Sequence, residues 1–503
     1  MPALRTEGAW LLATAATGTF ACAIIAIADL KPAYLVLMLL GTAALATIIW
    51  SGDARAALVA LFFVTLPIDI SKALTSEASA YSPALSLFLS DLFFVPLLVL
   101  WLSDRLTGVP GTRWTAVHSL AAALLVWMTI SAAISIASPS WLVLLNIAKY
   151  FAYMIVMADM TRDPRRLRIA LAALAGGLCL QLLMMMLQLI TGSDLNISGT
   201  DLNTSGPTNA DVGRMLIFEQ GGGLHFRRPS GFLHHPNMFA DYLTFVLPPL
   251  VALAFAGRAM LRWIWWLALA LLIGALGALV LSLSRGGWIA FGCAMLFLVA
   301  AGWQRGVVRG RHLAGLALGI AISGAVLAAT FPAAIYRVTQ SDQRSSESRF
   351  AMMDQAFLVI RRNPVVGVGL AGYNKAAQTN IPSSFATLLP AFRESLLKGV
   401  VHNKYLLTFA ETGIVGLALL LALLGGIIVM PFASFPGAQP TRWLVLLGLS
   451  GAVVAQAVFY LFDHFSYDLR LGMLFATAGL MLGVSDQLKH FANRNAYPPS
   501  RSR

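Results

Sequence analysis

Apolar runs close to 20 residues long recur along the whole sequence, separated by short polar stretches. An α-helix needs roughly 20 such residues to cross the hydrocarbon core of a bilayer. Only 11% of the 503 residues are charged and 58% are hydrophobic. A soluble domain carries about 25% charged residues, so this chain cannot cover a water-facing surface and must be solvated by lipid. About 14 candidate spans satisfy the length requirement. They lie at 9–28, 33–50, 55–70, 85–103, 116–137, 141–160, 168–191, 236–256, 262–283, 286–303, 312–330, 404–430, 442–462 and 468–486. The third is short and contains Pro67, which makes it the poorest of them. The expected fold class is all-α: a polytopic membrane protein with about 14 transmembrane helices.

The net charge of +13 would point to nucleic acid in a soluble protein. Here the Lys and Arg sit mostly between apolar runs, so topology explains them first and no nucleic-acid partner is expected. With an inside N-terminus, the inside loops hold Arg55, Arg105, Arg113, Arg162, Arg165, Arg166, Arg168, Arg258, Arg262, Arg305, Arg309, Arg311 and Arg442. The short outside loops hold little beyond Lys31 and Lys72. The alternation persists to the basic tail, which places both termini in the cytoplasm. Cys22, Cys179 and Cys293 lie inside apolar runs without CxxC or His-rich spacing, so neither zinc nor a structural disulfide is expected. No trustworthy small-residue cleavage site follows the first run, so no cleavable signal peptide is expected.

Two outside segments are long and polar, 192–235 and 331–403, and both carry Arg against the topological bias. They divide the chain into N-terminal spans (1–191), a central part with both loops (192–430), and C-terminal spans with a basic tail (431–503). Within the second loop, Phe350, Met353, Phe357 and Ile360 recur at helical spacing and Pro364 ends the run. The pattern predicts a helix over 347–362, either lying at the membrane surface or packed on its neighbours. Gly367, Gly369 and Gly372 then mark a tight turn, without the strand–helix unit of a dinucleotide site.

Four short segments, all on the outer side in this topology, carry candidate chemistry. Arg228 and His235-Pro236-Asn237 end the first long loop; Pro236 suits a first helical turn, and Asn237 also reads as a helix cap. Ser284-Arg285-Gly286-Gly287-Trp288 is a very short turn whose Arg is isolated among apolar residues. An ionisable group there is a functional hypothesis by default, although an Arg can also snorkel to headgroups; the paired glycines would let a ligand approach. Arg349 falls on the first turn of the predicted loop helix, where the dipole already favours anions; Arg361 and Arg362 at its end read better as solvated charges. His402-Asn403 enters a long apolar helix, where a boundary His can serve as a base. Glu411, about 13 Å further along, is too distant to orient His402 and is expected to pair with an intramembrane polar group such as Lys149. A base and several Arg at one face suit transfer from a diphosphate-linked donor, because guanidinium groups bind phosphate oxygens bidentately. No nucleotide-binding loop is needed for a donor already activated, and none is found.

The ordered set Gly231-Phe232…His235-Pro236-Asn237, Ser284-Arg285-Gly286-Gly287-Trp288, Asn363-Pro364…Gly367…Gly369 and His402-Asn403…Glu411…Gly413…Gly416 resembles the O-antigen ligase and polysaccharide polymerase superfamily. The resemblance covers roughly 231–420 and leaves the N-terminal spans unplaced. It implies a helical membrane fold with large periplasmic loops in the bacterial inner membrane, an undecaprenyl-diphosphate-linked glycan donor, a glycan or lipid A-core acceptor, and metal-independent inverting transfer without a cofactor. By matching position, His402 would be the base, and Arg285 and Arg349 would hold the donor diphosphate. Arg228 would assist them, with His235, Asn237, Asn403 and Glu411 supporting. The doubled His234-His235 leaves open which of the two corresponds. A flippase for the same lipid-linked glycan, or a non-catalytic partner in envelope assembly, are the other readings. A flippase would not need His402, and its charges should line a path across the membrane.

Overall fold

A computed structural model describes residues 52–73, 85–137, 140–191, 228–233, 235–256, 261–310, 314, 343–387, 399–433, 440–464 and 469–496. The expected spans 9–28 and 33–50 lie outside these residues, as does nearly all of 312–330 and of the loop 192–235.

The described chain is mostly helical. A short helix α1 (Ala54–Thr65) leads to a small antiparallel hairpin, β1 (Ser71–Ala73) and β2 (Ser86–Phe88), with Lys72 opposite Leu87. Then come α2 (Asp91–Leu106), α3 (Ala116–Ala133), α4 (Ser140–Met160), α5 (Pro164–Thr191), α6 (Pro236–Ala256), α7 (Arg262–Leu281) and α8 (Arg285–Gln304). The second loop contributes α9 (Gln343–Arg362) and α10 (Tyr373–Thr379), followed by α11 (Lys404–Ile428), α12 (Pro440–Phe459) and α13 (Leu469–Ala496). Among the described residues nine helices, α3 to α8 and α11 to α13, are long and apolar enough to cross a membrane, in agreement with nine of the expected spans.

Two expected spans are shorter than their apolar runs. Residues 55–70 give only the 12-residue α1, which ends before Pro67, and residues 86–88 of the next run form β2 instead of helix. The all-α expectation therefore misses one two-stranded hairpin. Its reason lies in the polar residues at the run ends. Asp91 Oδ2 accepts from the Phe88 amide at 2.8 Å, and Lys149 Nζ donates to the Ser86 carbonyl at 2.9 Å.

Packing inverts the soluble pattern, as lipid-solvated helices allow. Leu92, Val95, Val99 and Leu102 form one exposed face of α2, and Leu183, Met186, Leu187 and Ile190 one of α5. Polar Ser131, Gln181, Gln188, Asp241 and Gln456 are buried. At the centre, the apolar stretch of α13 is fully buried and that of α12 nearly so; α12 packs on α6 and α8, and α13 on α4. Close approach needs small residues: a Cβ at Gly448 would come within 2.7 Å of Pro249 Cα, and one at Gly479 within 2.6 Å of the Met154 carbonyl.

The sharpest feature is a break in α11 at Gly413 (φ +67°). A break inside a membrane helix frees backbone groups that lipid cannot satisfy. Here protein satisfies three of the carbonyl groups and one amide. The Ala410 carbonyl accepts from the Val368 amide and that of Glu411 from the Gly369 amide, both at 2.9 Å. Ser131 Oγ adds a bond to the Glu411 carbonyl, Trp127 Nε1 donates to the Thr412 carbonyl at 2.8 Å, and the Ile414 amide donates to the Pro364 carbonyl at 3.0 Å. The Asn363–Gly372 turn is thus built into the break. A Cβ at Gly413 would lie 1.9 Å from the Val365 carbonyl oxygen, and one at Gly367 2.4 Å from that of Glu411.

Candidate active site

The loop helix α9 starts at Gln343, four residues before the predicted 347, and ends at Arg362, ahead of Pro364. Arg349 therefore sits in the second turn, beyond the amide groups that would have favoured an anion at the first. The helix packs through Ala351, Met352, Gln355, Ala356, Val359 and Ile360. Of the predicted stripe, Phe350 and Phe357 remain exposed. With α10, Phe385, Val400 and Val401, this face forms a small core over the start of α11, so α9 packs on its neighbours. Burial of Val400 and Val401 fixes the chain one residue before His402. One residue after it, Asn403 caps α11 by accepting from the Leu406 amide at 3.0 Å, and its Nδ2 donates to the Leu461 carbonyl at 3.3 Å. The Lys404 amide donates to the Tyr460 carbonyl at 2.8 Å. His402 is thereby pinned against the α12–α13 connection.

Across from it, the α7–α8 turn carries Arg285. Leu283 is buried with φ +50°, a left-handed conformation that costs a branched residue of order 1 kcal/mol. Ser284 caps α8 by accepting from the Gly287 amide at 3.4 Å. The turn is held from below: buried Arg228 donates through Nε to the Ser282 carbonyl at 2.5 Å and through Nη2 to Asn237 Oδ1 at 2.8 Å. His235 Nδ1 accepts from the Asn237 amide at 3.0 Å. The paired glycines serve packing as well as access: a Cβ at Gly286 would meet Phe462, and one at Gly287 would meet Ala240.

Arg285 and Arg349, more than 60 residues apart in sequence, line one shallow cleft, about 400 Å³ counting its open mouth, with Asn237, Ser284, Phe459 and Phe462. The half-buried Arg285 has no hydrogen-bond or ion-pair partner among the described residues. His402 lies in electrostatic contact with Arg349 and with His464, whose ring centroid is 5.0 Å away. His464 Nδ1 is 3.2 Å from Asp463, which also receives Arg470 Nη1 at 3.2 Å. Crowding by protein, reinforced by His464 and Arg349, lowers His402 to about 4 against the pull of Asp463, and its Nδ1 is buried without a partner. Burial and then Arg228 lower His235 to about 4 as well. Burial alone would raise Asp463, but Arg470, His464 and His402 outweigh it and hold the carboxyl well below its usual range. The site thus presents neutral imidazoles, one firm carboxylate and several permanent cations.

Glu411 lies elsewhere. It is buried at the α11 break, where its carboxylate accepts weakly from the Tyr373 amide at 3.5 Å and, after burial, raises the Tyr373 hydroxyl. The expected pairing with Lys149 does not occur. Lys149 Nζ binds Asp91 Oδ2 at 2.8 Å, and Tyr153 donates to the other oxygen of Asp91. Asp91 opens α2 beside the middle of α4, an adjacency that sequence separation hides. Reading the sequence also missed Asp463, His464 and Arg470. The signal was present: charged residues in a short outside turn between apolar spans, the argument applied to Arg285. Among the described residues no cluster of His, Cys, Asp or Glu has metal-binding geometry.

Fold and site together define a multi-pass membrane protein with a cleft lined by Arg285 and Arg349, the latter in electrostatic contact with His402. Residues 267–421 match the family model described as O-antigen ligase, which covers the Arg285 turn, α9, the Gly-rich turn, His402 and the α11 break. The match spans about a third of the chain and supports an O-antigen ligase-like superfamily assignment and a membrane glycan-processing enzyme. No curated protein matches the chain.

Proposed function

We propose that this protein is a glycosyltransferase that moves an undecaprenyl-diphosphate-linked glycan onto a sugar hydroxyl at the periplasmic face of the inner membrane, as a polysaccharide polymerase or as an O-antigen ligase. The observation that carries the reading is the convergence of Arg285 and Arg349 on one cleft beside His402. Three separate chain segments supply these groups.

In this mechanism the donor diphosphate lies between Arg285 and Arg349. His402, neutral near pH 7, takes the proton of the acceptor hydroxyl. The hydroxyl oxygen attacks the anomeric carbon, the bond from that carbon to the diphosphate oxygen breaks, and its electron pair leaves on undecaprenyl diphosphate. A single displacement inverts the anomeric centre. The guanidinium groups stabilise the charge that grows on the leaving diphosphate, and Asp463 stabilises the imidazolium. Arg228 and Asn237 position the Arg285 turn, and Asn403 positions His402. Arg349 depresses His402; a bound diphosphate offsets that charge, so donor binding strengthens the base. The N-terminal spans leave the acceptor unassigned.

The test is glycan analysis of a deletion strain complemented with wild type, His402→Ala or Arg285→Ala, with membrane levels of each protein checked. Loss of product with accumulation of lipid-linked intermediate supports transfer. Accumulated single repeat units identify a polymerase, and accumulated long chains a ligase. Normal product from both variants sinks the proposal and favours a flippase or an assembly partner.

A further inference from the structure

A second cleft lies at the far end of the bundle. The α13 helix begins beside the Asp463–Arg470 cluster and reaches this cleft at His490, about 30 Å away at 1.5 Å rise per residue. The cleft, about 630 Å³ with its open mouth, is formed between Thr112–Thr115, which precede α3, and the last turns of α13 at Ser485, Asp486, Lys489 and His490. Neither wall belongs to the candidate active site or to residues 267–421.

Its chemistry is that of a basic headgroup site. Arg113 and Lys489 are exposed on its walls and have no ion-pair partner among the described residues. The acidic lining residue, Asp486, is already engaged: Arg162 Nε holds its Oδ2 at 2.9 Å, and His490 Nε2 lies 3.6 Å from the same oxygen. Asp159, close behind Thr112, is occupied by Arg105, by Trp101 Nε1 at 2.6 Å and by Thr112 itself. Two permanent or near-permanent cations therefore face the cleft without a matching anion among the described residues. Thr115 and Ser485 add hydroxyl groups and Leu482 an apolar wall. At the mouth stands Trp114, 62% exposed, its ring 5.1 Å from that of His118 and its Nε1 donating to Ser119 at 2.8 Å. An exposed but orientationally fixed Trp is the side chain of the headgroup level. The neighbouring helix ends carry the Arg55–Asp104 and Arg162–Asp486 pairs, on the side where the Lys and Arg bias puts the cytoplasm.

We propose that this cleft binds the phosphate-bearing headgroup of an anionic phospholipid, with Arg113 and Lys489 on the phosphate. A basic cleft between helices at this level has the charge and depth for a headgroup whose acyl chains lie along the bundle. The site is independent of the transferase reading, and its test reads binding instead of product.

The test uses the full chain purified in detergent, with native mass spectrometry and thermal unfolding during titration with cardiolipin, phosphatidylglycerol, phosphatidylcholine or inorganic phosphate. The expected result is saturable binding and stabilisation by the two anionic lipids. Arg113→Ala with Lys489→Ala should weaken it at least about tenfold, from roughly one charge interaction lost per residue. A control pair with the same charge loss outside the cleft, Arg262→Ala with Arg442→Ala, should retain it. Equal weakening in both pairs would reveal diffuse attraction and overturn the site. Unchanged binding in the first pair would also overturn it, as would stabilisation by inorganic phosphate but not by lipid. Both residues are exposed, so the substitutions leave packing intact, and Lys489→Arg should keep binding if charge is what the cleft supplies.

Discussion

His402 is a weaker base in this protein than an imidazole in water, and its neighbours set by how much. Burial, His464 and Arg349 lower it to about 4 while Asp463 pulls upward. If neutral His402 is the base, activity is lost only as pH falls through that value, not through the ordinary 6.5. The acid limb of kcat/KM, which reports the free enzyme, should lie near pH 4. The limb of kcat should lie higher, because bound diphosphate offsets Arg349. In Arg349→Gln the residual kcat/KM limb should move up, and in Asp463→Asn it should move down; limbs that stay fixed in both variants would separate His402 from the titration. His402→Ala should lower transfer by at least about a hundredfold. A second residue-level test concerns the buried pair in the N-terminal spans. Lys149→Met strands Asp91 without its cation and should destabilise the protein by about 3–5 kcal/mol in thermal or denaturant unfolding, whereas adding Asp91→Leu should recover most of the loss.

At the level of elements, the broken helix α11 sets the site's shape. Its freed carbonyl groups bind the Asn363–Gly372 turn, which anchors the end of α9 and so the position of Arg349. Gly413 is required twice, by its positive φ and by the Val365 carbonyl against it. Gly413→Ala should cost more than about 2 kcal/mol and open the turn, seen as faster proteolysis between 363 and 372. Gly425→Ala, in the same helix with open space around its Cα, should be neutral; equal sensitivity at both would argue against the turn–helix lock. The helix itself was legible from spacing, but its buried face only in part: Ile360 and Met353 of the expected stripe pack inward, and Phe350 and Phe357 do not. The expected stripe weighted the large Phe350 and Phe357, whereas the packed stripe uses Ala351 and Ala356, because small residues let α9 come close to α11.

For the whole molecule, the prediction is sidedness. Alkaline phosphatase fused after residue 137, 285 or 464 should be active in the periplasm, and fusions after 110, 162 or 306 inactive. Activity at an inner junction would overturn the assigned alternation. The sequence by itself determined that the chain is a helical membrane protein, that nine of its apolar runs form spanning helices, most ends falling within about four residues of the expected ones, and that Arg285, Arg349 and His402 stand out. Those facts follow from local rules: the length of apolar run that crosses lipid, the cost of an unpaired charge within it, and proline and glycine as breakers. Only the tertiary structure decided that Lys149 belongs to Asp91, that Glu411 serves the helix break, and that Asp463, His464 and Arg470 stand behind His402. Such pairings depend on which helices are neighbours in space. An apolar run can pack against many others at similar energy, so adjacency is settled by the few small and polar residues that fit at each crossing.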